Sequence, residues 1–411
     1  MTEKRMEKST EERTEKRTPP RLLDVDALRG FALGGIFVVN LVFFASGYPF
    51  HLVADPAHGS WADHVAEFVT RLLFEMKFYL LFSFLFGYSF TLQLASASRA
   101  GANFTARFLR RLGGLFVLGG LHAVLLFHGD ILTTYALLGL VLLAVHRIRP
   151  RTALITAGAI FTLMAAGLAV AALAGFDLVP DEAAALADGR ASTDALGGGP
   201  GSVIGEHLRS LPVMAASLAV QGPLSLAAFL VGLAAGRREF LAHGAREHAA
   251  RLRRLELFGY PVGLAGALVF ALGGGTVNPA GVAVCIVTAP LLAGAYAATL
   301  LRLFTTPRGG RLARLLAPAG RMALSNYLAQ SLLGVLIFTG IGLGLTGDTP
   351  PAAVPLVAAA IFAVQLELSR RWLTRYRYGP VEWALRAVTN AERPRMRRAA
   401  PEPVRLEGRD R

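Results

Sequence analysis

Long apolar runs separated by short polar stretches organise this chain. The runs lie near 27–48, 76–95, 112–128, 130–146, 152–175, 211–236, 255–274, 280–301, 322–346 and 351–371. Most hold the roughly 20 residues that a helix needs to cross about 30 Å of hydrocarbon. The third and fourth are shorter and are joined by the tight turn His128-Gly129-Asp130. No stretch alternates with the period of a strand, so helices are expected throughout. The expected fold is all-α: a polytopic membrane helix bundle of about ten transmembrane helices.

The polar stretches carry a second pattern. Residues 1–21 are rich in Lys and Arg, and 49–64 has neither. Loop 96–111 has Arg99, Arg107, Arg110 and Arg111, the 128–130 turn has no Lys or Arg, and loop 147–151 has three arginines. Loop 176–210 is acidic overall, 237–254 is basic, 275–279 is uncharged, 302–321 has five arginines, 347–350 has only Asp348, and the C-terminal tail is basic. Basic loops stay in the cytoplasm, so both termini are expected to be cytoplasmic. Loop 176–210, with its run Gly197 to Gly201, reads as a mobile external loop with a short helix near 181–188. Four regions follow: a disordered tail at 1–21, transmembrane regions at 22–236 and 237–390, and a disordered basic tail at 391–411.

Composition agrees with a bilayer as solvent, with 54% hydrophobic residues and 17% charged over 411 residues. The net charge of +14 sits in loops and tails flanking apolar runs. Topology and anionic lipid account for it, and nucleic-acid binding is not expected. The one cysteine, Cys285, permits no intrachain disulfide and no cysteine-based metal site. Residues 1–21 make too long a charged leader for a cleavable signal, so the first run is expected to remain as a helix.

Five constellations can carry chemistry. Asp26 and Arg29, three apart at the start of the first run, can pair, and Arg29 can meet a cytoplasmic anion or nucleotide. Asn40, deeper in the same run, needs an interhelical partner. Lys77 opens the second run from the outside, against the charge bias, where ionisable groups tend to be functional or paired. Glu75 and Arg71 read as a surface pair. His122 lies within the third run and Asp130 opens the fourth: a helix cap and an interhelical hydrogen bond compete with a general base oriented by a carboxylate. Ser325, Asn326, Tyr327, Gln330 and Ser331 make a polar stripe on the ninth run, either helix-packing glue or the lining of a passage. The stretch Arg377 to Arg386, with Pro380, Glu382 and Trp383, reads as an interfacial helix. Gly232/Gly236 and Gly340/Gly344 are small-residue packing pairs. No phosphate loop, HExxH motif or dinucleotide fingerprint is present, and no metal site is expected.

These motifs in this order resemble the YeiB-like family of bacterial inner-membrane proteins. The resembling segments are Leu23 to Asn40, Lys77 to Gly87, His122 to Leu132 and Gly320 to Arg386. The last falls in the 237–390 region, which is similar to the family's C-terminal domain of unknown function. The resemblance implies a bacterial cytoplasmic-membrane protein. It extends to the transmembrane acyltransferase superfamily, including the heparan acetyltransferase type, whose members use cytosolic acyl-CoA and an intramembrane histidine. His58 to Trp61 resembles that type's histidine motif, so both His58 and His122 are candidate histidines. The function expected is acyl transfer from a cytosolic donor to an extracytoplasmic or membrane acceptor, with His122 and Asp130 catalytic. Asp26, Arg29, Asn40, Lys77, Ser325, Asn326 and Gln330 are expected along the donor and substrate path. The alternative is a transporter or lipid translocator that makes no bond. No bound cofactor is expected, with acyl-CoA as co-substrate. The partners expected are membrane lipids, a small-molecule or glycan acceptor and a second copy of the chain.

Overall fold

The computed structural model describes residues 23–241 and 247–398. The tail at 1–21 and most of the tail at 391–411 lie outside the described residues. In chain order the helices are α1 (Leu23–Ala45), α2 (Trp61–Leu73), α3 (Lys77–Arg99), α4 (Phe104–Leu125), α5 (Leu132–Ala144), α6 (Pro150–Leu173) and α7 (Glu182–Leu196). There follow α8 (Pro200–Arg237), α9 (Ala249–Leu272), α10 (Pro279–Phe304), α11 (Pro307–Arg321), α12 (Ala323–Phe338), α13 (Val354–Arg375) and α14 (Pro380–Asn390). The architecture is an all-α polytopic bundle.

Each of the ten apolar runs forms one helix: α1, α3, α4, α5, α6, α8, α9, α10, α12 and α13. Seven stretches among the described residues are long and apolar enough to cross a membrane, namely α1, the run Trp61–Arg99, α4, α6, α8, α9 and α10. The apolar helices α5 and α12 are shorter, at 13 and 16 residues. α13 has 22 residues but closes on Glu367, Arg370, Arg371 and Arg375.

Three expectations change. Segment 176–210 is largely helical. Asp181 caps α7 by accepting from the Ala184 N–H, and Pro200 starts α8 at a position that needs no N–H. At 38 residues α8 is about 57 Å long, so part of it continues beyond the hydrocarbon. That part and α7 cover one end of the bundle and bury Ser192, Glu206 and His207. The second change is at 322–346, where α12 stops at Phe338. Thr339 turns extended, and Gly344 and Gly347 take positive φ. Gly340 therefore packs on the Gly197 and Gly198 carbonyls rather than along a helix. Third, residues 391–398 fold back: the Arg377 N–H donates to Met396 O (2.9 Å) and the Trp383 indole to Pro394 O (2.7 Å).

Glycine sets the closest helix crossings. A Cβ at Gly232 would sit 2.1 Å from Phe84 O, and one at Gly87 2.1 Å from Phe229 O, so α3 and α8 touch backbone to backbone. A Cβ at Gly320 would sit 1.8 Å from Asp26 O, which seats α11 on α1. Such approaches are how helices pack where lipid removes the hydrophobic drive.

Candidate functional site

The His128-Gly129-Asp130 turn folds α5 back on α4, and this returns Asp130 to His122. His122 Nδ1 and Asp130 Oδ1 are 2.9 Å apart, and His122 Nε2 is 2.8 Å from Ser331 Oγ on α12. All three are buried, at 1%, 5% and 3% exposure. An ionised carboxylate only accepts, so the His122 Nδ1–H donates to Asp130 and the Nε2 lone pair accepts from the Ser331 hydroxyl. Asp130 Oδ2 also accepts from the Thr133 N–H (2.7 Å), so one side chain caps α5 and orients the imidazole. The Tyr327 ring lies 4.9 Å from that of His122. A carboxylate, an imidazole and a hydroxyl in line can transfer a proton from the hydroxyl to the ring.

More histidines gather beside this line. His207 Nδ1 donates to Val124 O (3.0 Å). The His128 ring stands 5.6 Å from that of His207 and 4.4 Å from Phe50, with neither ring nitrogen hydrogen-bonded. Burial, reinforced by His207 and His51, pushes the His128 imidazole down to about 3. His51 Nε2 lies 2.9 Å from Ser192 Oγ, which donates to Glu206 Oε1 (2.7 Å). Among the described residues no three His, Cys, Asp or Glu side chains are grouped to hold a metal ion.

The other sequence candidates stand elsewhere. Asp26 and Arg29 pair at 2.8 Å, and Arg29 also donates to Ser89 Oγ. Asn40 is half-buried, and its side chain hydrogen-bonds no other side chain or backbone group among the described residues. Lys77 is fully buried; its Nζ donates to Arg71 O (2.8 Å) at the end of α2 and lies 5.5 Å from the Phe270 ring. A cation at a helix C-terminus meets unpaired carbonyls, which accounts for this lysine. Asn326 donates to Ala319 O and Ser369 Oγ, and Gln330 to Gln365 Oε1 (2.9 Å), so the stripe binds α12 to α13. Ser325 donates to Glu382, which also accepts the N–H groups of Leu324 (2.7 Å) and Ser325 (3.0 Å). Glu382 thus caps the start of α12, although the sequence places it in the first turn of α14. His58 Nε2 bonds to Gly347 O (2.9 Å), and Ser60 opens α2 with a capping box to Asp63.

Sequence reasoning selected His122 and Asp130 but left Ser331 in a packing stripe. Ser331 is 209 residues from His122, and only its place among polar groups four apart signalled it. In the sequence His207, Glu206 and Ser192 fall within loop 176–210, where nothing marks them as partners.

Residues 235–392 match the family described as "Protein of unknown function (DUF418)". The chain is 31% identical over 393 residues to the uncharacterized protein YxaH of Bacillus subtilis (strain 168), covering 90% of this chain and 95% of that protein. It is 28% identical over 386 residues to an uncharacterized 39.9 kDa protein in the amylase 3' region of Bacillus acidopullulyticus (90% and 94% covered). It is also 28% identical over 402 residues to the uncharacterized protein YeiB of Escherichia coli (strain K12) (90% and 96% covered). No solved structure matches the chain.

Proposed function

This chain belongs to the YeiB-like family, and from that premise we propose that it is a membrane acyltransferase in which Ser331, activated by His122, carries the acyl group. The observation that supports this reading is the line Asp130–His122–Ser331, buried between α4, α5 and α12. The Ser331 hydroxyl gives its proton to His122 Nε2 as Oγ bonds to the acyl carbon of a thioester donor. The carbon–sulfur bond breaks, and the leaving thiolate takes the proton from His122. An acceptor hydroxyl or amine then attacks the acyl carbon, His122 takes its proton, and Ser331 leaves and is reprotonated. Asp130 holds the ring and stabilises the imidazolium formed at each step. A relay of this kind suits a donor and an acceptor that approach from opposite sides of a bilayer. Relatives from bacteria, together with the basic loops, favour the cytoplasmic membrane with both termini inside.

The test is to incubate the purified full chain with acetyl-CoA and no acceptor. Mass spectrometry is expected to find an acetyl group on the peptide containing Ser331, and none in Ser331→Ala. Turnover of acetyl-CoA by Ser331→Ala at the wild-type rate would exclude the serine and leave His122 acting on the acceptor directly. Flux of a solute across vesicles with no acyl turnover would replace acyl transfer by transport.

A further inference from the structure

At the basic end of the bundle, guanidinium groups from three separate helices converge. Arg29 comes from α1, Arg111 from α4 and Arg386 from α14. Arg111 lies within electrostatic reach of Arg29, Arg386 and Glu382. The exposure is graded: Arg386 is exposed, and Arg29 and Arg111 are half-buried. The Nε of Arg111 is buried and has no hydrogen-bond partner. Of the two nearby carboxylates, Asp26 is paired with Arg29, and Glu382 accepts from Ser325 and the Leu324 N–H. Neither carboxylate hydrogen-bonds the Arg111 Nε, although the charge of Glu382 acts on this guanidinium.

The frame around this cluster is fixed. Arg110 Nε donates to Thr389 O (3.0 Å), and a Cβ at Gly114 would sit 2.7 Å from Leu385, so α14 lies close against α4. Arg386 is positioned over the Tyr378 ring at 5.1 Å. Bringing like charges together costs energy. Burying a guanidinium nitrogen without a partner costs more. Both costs are recovered when an anion with several acceptor oxygens occupies the centre, and phosphate fits the guanidinium fork.

We propose that Arg29, Arg111 and Arg386 form a binding site for the phosphate groups of a ligand, and that this ligand is a phosphorylated acyl donor of the coenzyme A type. The phosphate site stands on the arginines alone, whereas the donor's identity rests on the acyl-transfer reading above. Arg111 and His122 are eleven residues apart on α4, which is about 16 Å along the helix. A ligand anchored at Arg111 therefore needs a long, thin arm to bring its reactive carbon to Ser331.

The experiment uses the full chain in a zwitterionic detergent, titrated with coenzyme A and with inorganic pyrophosphate by calorimetry. Wild type is expected to bind both, coenzyme A more tightly, with affinity falling as salt rises. Arg111→Gln is expected to lose at least about tenfold in affinity, from the loss of a charge-assisted hydrogen bond, and Arg111→Lys to recover part of it. Arg386→Gln, at an exposed position, supplies a second variant should Arg111→Gln fail to fold. Equal pyrophosphate affinity in wild type and in folded Arg111→Gln and Arg386→Gln would overturn the site. If phosphatidylglycerol in nanodiscs occupies the site in an Arg111-dependent way while coenzyme A does not bind, the donor assignment falls and a lipid headgroup takes its place. His122→Gln is expected to bind coenzyme A like wild type. Coenzyme A binding by a wild-type chain that transfers no acetyl group would count against the chemistry and leave the phosphate site standing.

Discussion

An imidazole with a carboxylate on one nitrogen and a hydroxyl on the other has a set direction for proton transfer, from the hydroxyl to the ring. At His122 that direction depends on Asp130 holding the Nδ1 tautomer. His122→Gln keeps the hydrogen-bonding groups but cannot take up a proton. It is expected to lower acyl turnover by roughly 10²–10⁴-fold with coenzyme A binding unchanged. Asp130→Asn is expected to lower turnover less and also to lower the melting temperature, because Oδ2 caps α5 as well. His128 makes a separate prediction. Its folded value of about 3 lies below the ordinary 6.5, so at acid pH the unfolded chain binds a proton that the folded chain refuses. Stability from this residue is complete above pH 6.5 and declines as pH falls toward 3, by about 2 kcal/mol at pH 5. His128→Phe, an aromatic among Phe50 and Phe127, is expected to remove that acid-side loss. Melting curves at pH 7.5 and pH 5 in detergent measure the difference.

At the level of elements, the α3–α8 crossing gives the clearest mechanical test. Gly232→Ala would press a methyl group into the Phe84 carbonyl and is expected to cost about 1–3 kcal/mol, read as a lower melting temperature. Gly120→Ala on α4 meets nothing within 4 Å and is the control, expected to be neutral or slightly stabilising. Hydropathy made the ten apolar helices legible in the sequence, because one solvent imposes one length and one composition on them. It could not show α2, α7 or α11. The charged and small residues of α2 and α11 read as loops and those of α7 as a helix only near 181–188, and the helicity of all three comes from caps such as Ser60, Asp181 and Thr306. The end of α12 was missed because an apolar run continues through Thr339 to Leu345 while glycines bend the backbone. The His122–Asp130 pair was legible because a tight turn keeps it local. Ser331 and the convergence of Arg111 with Arg29 and Arg386 were not, because they depend on how distant helices dock.

For the whole molecule, the loop charges predict that α7 lies outside and the loop after α8 inside. Asp194→Cys in a Cys285→Ser background tests this, since Asp194 is exposed and Cys285 is buried. A membrane-impermeant maleimide is expected to label residue 194 from the external side, and labelling from the cytoplasmic side alone would invert the topology. The bundle is also interdependent from end to end. His122 and Asp130 lie in the first half of the chain, and Ser331 and Glu382 in the stretch 235–392 that matches the family description. Arg29 is fixed where Gly320 seats α11 on α1, so the first helix is shaped by a segment that follows it by nearly three hundred residues. A polypeptide ending after α8 would therefore hold the His122–Asp130 pair without Ser331, and one beginning at α9 would hold Ser331 without the imidazole it bonds. The two halves are in effect obligate subunits translated as one reading frame, and if the gene were ever split, both products would have to be made together in one membrane to restore the line between them.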